Sequence, residues 1–349
     1  MSRTITIERL PIGLDHLPVI VAEIGQNHNG SVDEAIQLSR VARSSGCDAI
    51  KLTKRTVDRD MTTEMHKRPY NGRDSFGKTY GAHRHALELD PEAWSYIKQV
   101  ARMPLIGTVC DVCAAADVAE IVDAFKIASR DADNLPLIRC VLSLGKPVIV
   151  STGMSSWNSI RRIIELADTL GMTDQIVLMH CVSLYPTTAG EANLSAIAEM
   201  RFRFGDPVGY SDHTIGTTAA PCAVQHGASI IEKHITMSKL AKGSDHKLSI
   251  ERDELRTMVA SCHRSFWMRG DGAKDEMSSS NTSRMKLGRS IVSRIRIHEG
   301  NRIQESDLTL ASPGDGIRWE QRREVIGAIA RRTIEAMTTI REGDLICQT

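Results

Sequence analysis

The residues best suited to chemistry recur at the ends of short apolar runs. Glu23 closes the run 18–24 and is followed by Gly25-Gln26-Asn27-His28-Asn29-Gly30. Lys51 sits in 47–53 and Thr108 in 105–109. Lys126 and Ser129 belong to 124–129, with Arg130-Asp131 next. Ser151 lies in 147–152, and the run 176–181 leads to Ser183 and Tyr185-Pro186. Ser211 ends 207–211, followed by Asp212-His213; Glu232-Lys233-His234 end 228–234, with Asp245-His246 beyond. Lys51, Lys126, Thr108, Ser129, Ser151 and Ser211 make a cationic, hydroxyl-rich cradle suited to a phosphorylated carboxylate. His213 and His234 can share one metal ion, and imidazole suits manganese, iron, cobalt or zinc. Glu23 and Asp131 are the general acid–base candidates. An unpaired buried polar group costs about 1–3 kcal/mol, so a ring of them calls for a ligand or a network.

Eight such runs alternate with amphipathic stretches, among them 32–44, 157–170 and 217–226. Val, Ile and Leu dominate the runs, as in a parallel sheet buried on both faces. The alternation predicts an α/β fold, a (β/α)8 TIM barrel followed by a small β-rich domain, with a doubly wound sheet as the alternative. A barrel brings all its C-terminal strand ends to one mouth, and that is where the polar residues fall. Two segments break the rhythm. Residues 54–90 far exceed the usual βα loop of about 2–6 residues. They carry Lys54, Arg55, Arg68, Arg73 and Arg84, and Asn71, and read as a lid or binding loop. Gly270-Asp271-Gly272 and Ser278-Ser279-Ser280 mark a linker. The expected domains are a barrel over 1–270, a linker over 271–285 and a β-rich module over 286–349. Within that module 297–303 (IHEGNRI) recurs as 340–346 (IREGDLI), each read as a strand, a turn and a second strand.

Composition excludes several classes. The chain has 349 residues, 41% hydrophobic and 25% charged, as folded domains do. A net charge of +1 and 4% aromatics leave no basis for a nucleic-acid binder. No apolar run approaches the roughly 18 residues of a membrane span. The first residues carry Arg3, Glu8, Arg9 and Asp15 without an apolar core, so no secretory signal is expected. Eight cysteines read as reduced thiols, and the expected location is cytoplasmic. The single Cys110-Asp111-Val112-Cys113 has no second pair and reads as incidental. Signatures of ATP-binding P-loops, zincins and α/β-hydrolases are absent from the sequence.

Taken in order, Ala22-Glu23-Ile24-Gly25-Gln26-Asn27-His28-Asn29-Gly30, Phe125-Lys126-Ile127-Ala128-Ser129, Ser151-Thr152-Gly153-Met154, Gly209-Tyr210-Ser211-Asp212-His213-Thr214, Glu232-Lys233-His234-Ile235-Thr236 and Gly243-Ser244-Asp245-His246 resemble the sialic acid synthase family. The tail resembles that family's antifreeze-like (SAF) domain. The resemblance implies a metal-dependent aldol-type condensation of phosphoenolpyruvate with N-acetylmannosamine or a related amino sugar, with C–O cleavage. It implies His213 and His234 as ligands of a divalent metal, manganese foremost, with magnesium or cobalt as alternatives. It places Lys51, Thr108, Lys126, Ser129, Ser183 and Ser211 on phosphoenolpyruvate and Glu23 at the catalytic carboxylate. Tyr185, Asp131 and Asp245 fall on the sugar side, with Asn71 in the lid. It further implies a domain-swapped homodimer in which the tail caps the partner's barrel.

Three positions depart from the family pattern. Thr53 stands where Gln is common, Arg130-Asp131 where Gly-Glu is common, and Ser312 where an Arg often precedes Pro-Gly. All three belong to the sugar side, so the acceptor is less constrained than the reaction. Two other readings stand beside this one: an imine-forming aldolase using Lys51, Lys126 or Lys233, and a sugar-binding protein without catalysis.

Overall fold

A computed structural model describes residues 3–273 and 278–346. An N-terminal hairpin, β1 (Ile5–Ile7) with β2 (Leu10–Ile12), precedes eight parallel strands. These are β3 (Val19–Gly25), β4 (Ala49–Lys54), β5 (Leu105–Val109), β6 (Ala124–Ile127), β7 (Val148–Ser151), β8 (Ile176–His180), β9 (Val208–Asp212) and β10 (Ile230–His234). They close a barrel in which β10 pairs with both β9 and β3. The TIM-barrel expectation is met, and the doubly wound alternative falls away because the sheet has no edge.

Side chains alternate across a strand, so every second residue fills the barrel. Val19, Val21, Ala49, Ile106, Ala124, Ile149, Val177, Met179 and Ile230 form one buried cluster with Ile5, Ile7 and Ile12. The N-terminal half of the barrel is therefore apolar, and the hairpin plugs it. Two residues further along the same inward faces, the sequence turns polar: Glu23, Lys51, Thr108, Lys126, Ser151, Ser211 and Glu232. The opposite faces, such as Ile20, Ala22, Ile50, Leu52, Phe125 and Ile231, pack under the surrounding helices. The first of these, α1 (Val32–Ser44), has the expected bounds. Ser31 caps it by accepting from the Glu34 amide, acidic residues occupy its first turn and Arg43 its last.

The insertion after β4 is structured, not a bare loop. It carries three short helices, α2 (Val57–Asp60), α3 (Thr63–Lys67) and α4 (Tyr80–His85), and a bridge between Pro69 and Thr79. Thr62 and Thr79 cap α3 and α4 through their hydroxyls. Helices of four to six residues are too short to show a 3.6-residue period in sequence.

The chain divides into two compact units, Met1–Gly270 and Asp271–Thr349. The segment read as a linker, 271–285, carries part of a helix, Ser278–Leu287, and its residues 274–277 lie outside the described residues. Beyond it β11 (Ser290–Ser293) pairs with β12 (Leu308–Ala311), and β13 (Ile329–Ala330) with β14 (Leu345–Ile346), all antiparallel. The repeat exists but in another register than expected. Ile334, Ile340 and the turn Glu342–Asp344 play the parts of Ile297, Ile303 and the turn Glu305–Asp307. Ile297 and Ile334 exchange backbone hydrogen bonds of 2.8 Å in both directions. Both turns close the same way: Asp307 accepts from the Gln304 amide and Asp344 from the Arg341 amide, each at 2.9 Å. Each copy thus pairs with the other half of the module, and neither folds back as its own hairpin.

Candidate active site

At the C-terminal mouth of the barrel lies a cavity of about 380 Å³. Glu23, Lys51, Thr53, Thr108, Lys126, Ser129, Ser151, Ser183, Tyr185, Ser211, His213, His234 and Asp245 all line it. Strand alternation brings most of them inward. The segment after β8 delivers Ser183 and Tyr185, and the Thr187 amide ties it down by donating to the His213 carbonyl at 3.0 Å.

The floor is a buried ionic network. Lys51 Nζ lies 2.8 Å from Glu23 Oε2, donates to Thr108 Oγ1 at 2.8 Å, and lies 3.5 Å from Glu232. Lys126 Nζ is 3.2 Å from Glu232 Oε2, and Ser211 donates to Glu232 at 2.9 Å. Two ammonium groups and two carboxyl groups therefore balance on the almost fully buried floor of the cavity. Burial raises the Glu23 carboxyl to about 7, against the pull of Lys51. Burial also opposes the charge on Glu232, but Lys126, Lys51 and the Ser211 hydroxyl overcome it and hold that carboxyl well below its usual range. Glu232 is the fixed anion of the site, and Glu23 the carboxyl able to gain or lose a proton near neutral pH.

Next to this network stand two imidazoles with ring centroids 5.7 Å apart. Burial lowers His213 and takes His234 to about 4, so both are neutral at pH 7. His213 Nδ1 donates to the Val182 carbonyl at 2.7 Å, which fixes its tautomer and leaves Nε2 with its lone pair. His234 Nδ1 is buried without a hydrogen-bond partner. Two neutral imidazoles side by side, one with an orphaned nitrogen, fit a divalent metal. The Tyr185 ring packs 4.3 Å from that of His213. The hydroxyls of Ser151 and Ser183 are also buried without partners, as donors reserved for a ligand are.

The family model described as the NeuB family matches residues 38–274. The chain belongs to the NeuB family. Over 338 residues it is 32% identical to the N-acetylneuraminate-9-phosphate synthase of Homo sapiens, covering 95% of this chain and 93% of that protein. It is 32% identical over 330 residues to the N,N'-diacetyllegionaminic acid synthase of Campylobacter jejuni, covering 93% and 99%. A solved N-acetylneuraminic acid synthetase from Leptospira borgpetersenii matches with a TM-score of 0.72 and 29% identity, over 81% of this chain and 95% of that one. The chain is thus an enzyme of the nonulosonic acid synthase family.

Two expected positions do not line this NeuB-family cavity. Asp131, expected as an acid–base group, is carried away by the 3-10 turn Ser129–Asp131, since β6 ends earlier than expected, at Ile127. Its carboxylate accepts from Arg130 Nε at 3.2 Å and faces a separate surface cleft with Asp60 and Asp111. Asn71 is exposed in the insertion and does not line the cavity. Ser312 lies in the second unit, where its hydroxyl donates to the Leu287 carbonyl at 3.2 Å. Lys233, one of the imine candidates, points out of the barrel to Asp212 at 2.9 Å.

The sequence reading assigns no role to the network's central acid, Glu232, although the signal is there. In Ile230-Ile231-Glu232-Lys233-His234, an inward His234 requires an inward Glu232. The insertion adds Arg55, Tyr80 and Arg84 to the cavity wall, which no strand-end rule could identify. Arg55 is held by Asp60 at 3.1 Å and Glu88 at 3.2 Å.

Proposed function

We propose that this enzyme condenses phosphoenolpyruvate with the open-chain aldehyde of an N-acetylmannosamine-type sugar, free, 6-phosphorylated or 2,4-diacetamido, and releases phosphate. The observation that carries the reading is the adjacency, in one buried cavity, of a lysine–hydroxyl cradle and a pair of neutral imidazoles. Lys51 and Lys126, with the hydroxyls of Thr108, Ser129, Ser151, Ser183 and Ser211, would bind the carboxylate and phosphate of phosphoenolpyruvate. His213 and His234 would hold a divalent ion, manganese in our reading, with magnesium or cobalt able to substitute. When bound, that ion supplies a Lewis acid for the aldehyde oxygen. C3 of the enol forms the new carbon–carbon bond to the aldehyde carbon, and the electron-poor C2 takes up water. Glu23, with its carboxyl near 7, accepts one proton of that water and passes it to the aldehyde oxygen, which becomes the new hydroxyl; the other leaves with the phosphate as C2 becomes a ketone. The C2–O bond to phosphate then breaks, while the lysines and hydroxyls hold the charge of the leaving group. Tyr185, Asp245, Thr53 and Arg84 line the side left for the sugar. Lys51 and Lys126 are engaged with carboxyl groups, which ties up the amines an imine mechanism would need.

In this reading the enzyme acts as a cytoplasmic homodimer, the tail of each chain capping the partner's barrel and bringing Ser312 to the sugar. Among the described residues no helix is long and apolar enough to cross a membrane. The test is acceptor-dependent phosphate release from phosphoenolpyruvate. Turnover is expected with acylamino sugars plus Mn2+, and none after chelation or in His213→Ala. Full turnover after exhaustive chelation would defeat the metal role; none with any acylamino sugar would defeat the reaction.

A further inference from the structure

A second set of metal-type side chains lies outside the cavity, in the insertion. Asp58 on α2, His66 on α3 and His85 on α4 converge. Asp58 Oδ1 is 3.3 Å from His66 Nε2 and 3.1 Å from His85 Nε2, and the three ligand atoms lie within 4.8 Å of one another. The two rings stand edge to face with centroids 5.7 Å apart. His66 Nε2 is shut off from solvent and makes no hydrogen bond, although a carboxylate oxygen is near. His85 Nε2 is within hydrogen-bond distance of Asp58 Oδ1, whereas His66 Nε2 faces the same oxygen without hydrogen-bond geometry, as two donors to one cation do. The spacing agrees. With zinc–nitrogen and zinc–oxygen bonds of about 2.0–2.2 Å, the edge of a tetrahedron is about 3.3–3.6 Å. Gly81 makes the arrangement feasible, because a Cβ there would collide with the His66 ring. A glycine inside a six-residue helix costs the helix conformational freedom, so its use here is the space it leaves.

We propose that Asp58, His66 and His85 form a second metal site, binding a zinc-class divalent ion with the fourth position open to water. Two imidazoles and one carboxylate are a ligand set that zinc accepts. The ion would tie together three helices too short to be stable alone. One of them, α4, carries Tyr80 and Arg84 to the cavity wall, so the site would position the lid. This inference does not depend on the reaction proposed above.

The test is metal stoichiometry of chelator-stripped, tag-free protein, read by equilibrium dialysis against Zn2+ and by the visible spectrum with Co2+. Wild type is compared with His85→Gln and Asp58→Asn; both side chains are exposed, 49% and 73%, so the fold should tolerate the changes, as far-UV circular dichroism checks. Wild type is expected to bind one more ion per chain than either variant, and its cobalt form to show tetrahedral absorption that the variants lose. The pair His213 and His234 is common to all three proteins and cancels in the difference. Anomalous scattering at the zinc edge from zinc-soaked wild-type crystals gives a reading without variants, with a peak expected between the three side chains. Equal stoichiometry in all three proteins, or no such peak, would overturn the site.

Discussion

Glu23 and Glu232 are the same residue type on neighbouring strands, yet their surroundings set them opposite tasks. Glu232 answers two lysines and a hydroxyl and stays charged, whereas burial outweighs Lys51 at Glu23 and leaves its carboxyl near 7. Glu23→Gln keeps the shape and removes the proton acceptor. The expected result is a fall in kcat of about 10²–10⁴-fold with little change in KM for phosphoenolpyruvate. Lys51 would still have Glu232 at 3.5 Å, which is why affinity should hold. Near-normal kcat would remove Glu23 from the chemistry. At this scale most of the cavity was legible, because polar residues at the ends of apolar runs announce themselves. Asp131 was misread, since three residues of 3-10 turn rotate it off the strand direction, and a turn of that size has no sequence period.

Elements differ in how well they show themselves. The barrel strands are apolar runs of four to seven residues, and their ends fall within two residues of expectation. The insertion's helices and the two-residue strands β13 and β14 carry no period, so the lid read as a loop and the repeat was set in the wrong register. What the lid does bears on the acceptor. Thr53 is shorter than a glutamine and has no amide, while Arg55, Arg84 and Arg130 bring guanidinium groups to the cavity wall. Each lost neutral hydrogen bond is worth about 0.5–1.5 kcal/mol. Plain N-acetylmannosamine should therefore give a lower kcat/KM than its 6-phosphate or a bulkier 2,4-diacetamido sugar, by roughly tenfold. If the plain sugar wins by more than tenfold, Thr53 and the arginines do not set the preference.

For the whole molecule, the separation into a barrel unit and a small β-rich unit bears on assembly. The second unit is near the size at which a domain core alone becomes marginal, so a docked role is expected of it. Light scattering of the full chain should give a dimer, and deletion of the residues after about 280 should lower dimerisation and sugar affinity together. A monomeric, fully active deletion variant would contradict the swapped assembly. The most direct test of the account as a whole follows the oxygen at C2. With phosphoenolpyruvate, Mn2+ and the best acceptor in ¹⁸O-labelled water, the account predicts label in the C2 oxygen of the keto-acid product and none in the released phosphate. Labelled phosphate would mean cleavage of the P–O bond, and would contradict the proposed condensation.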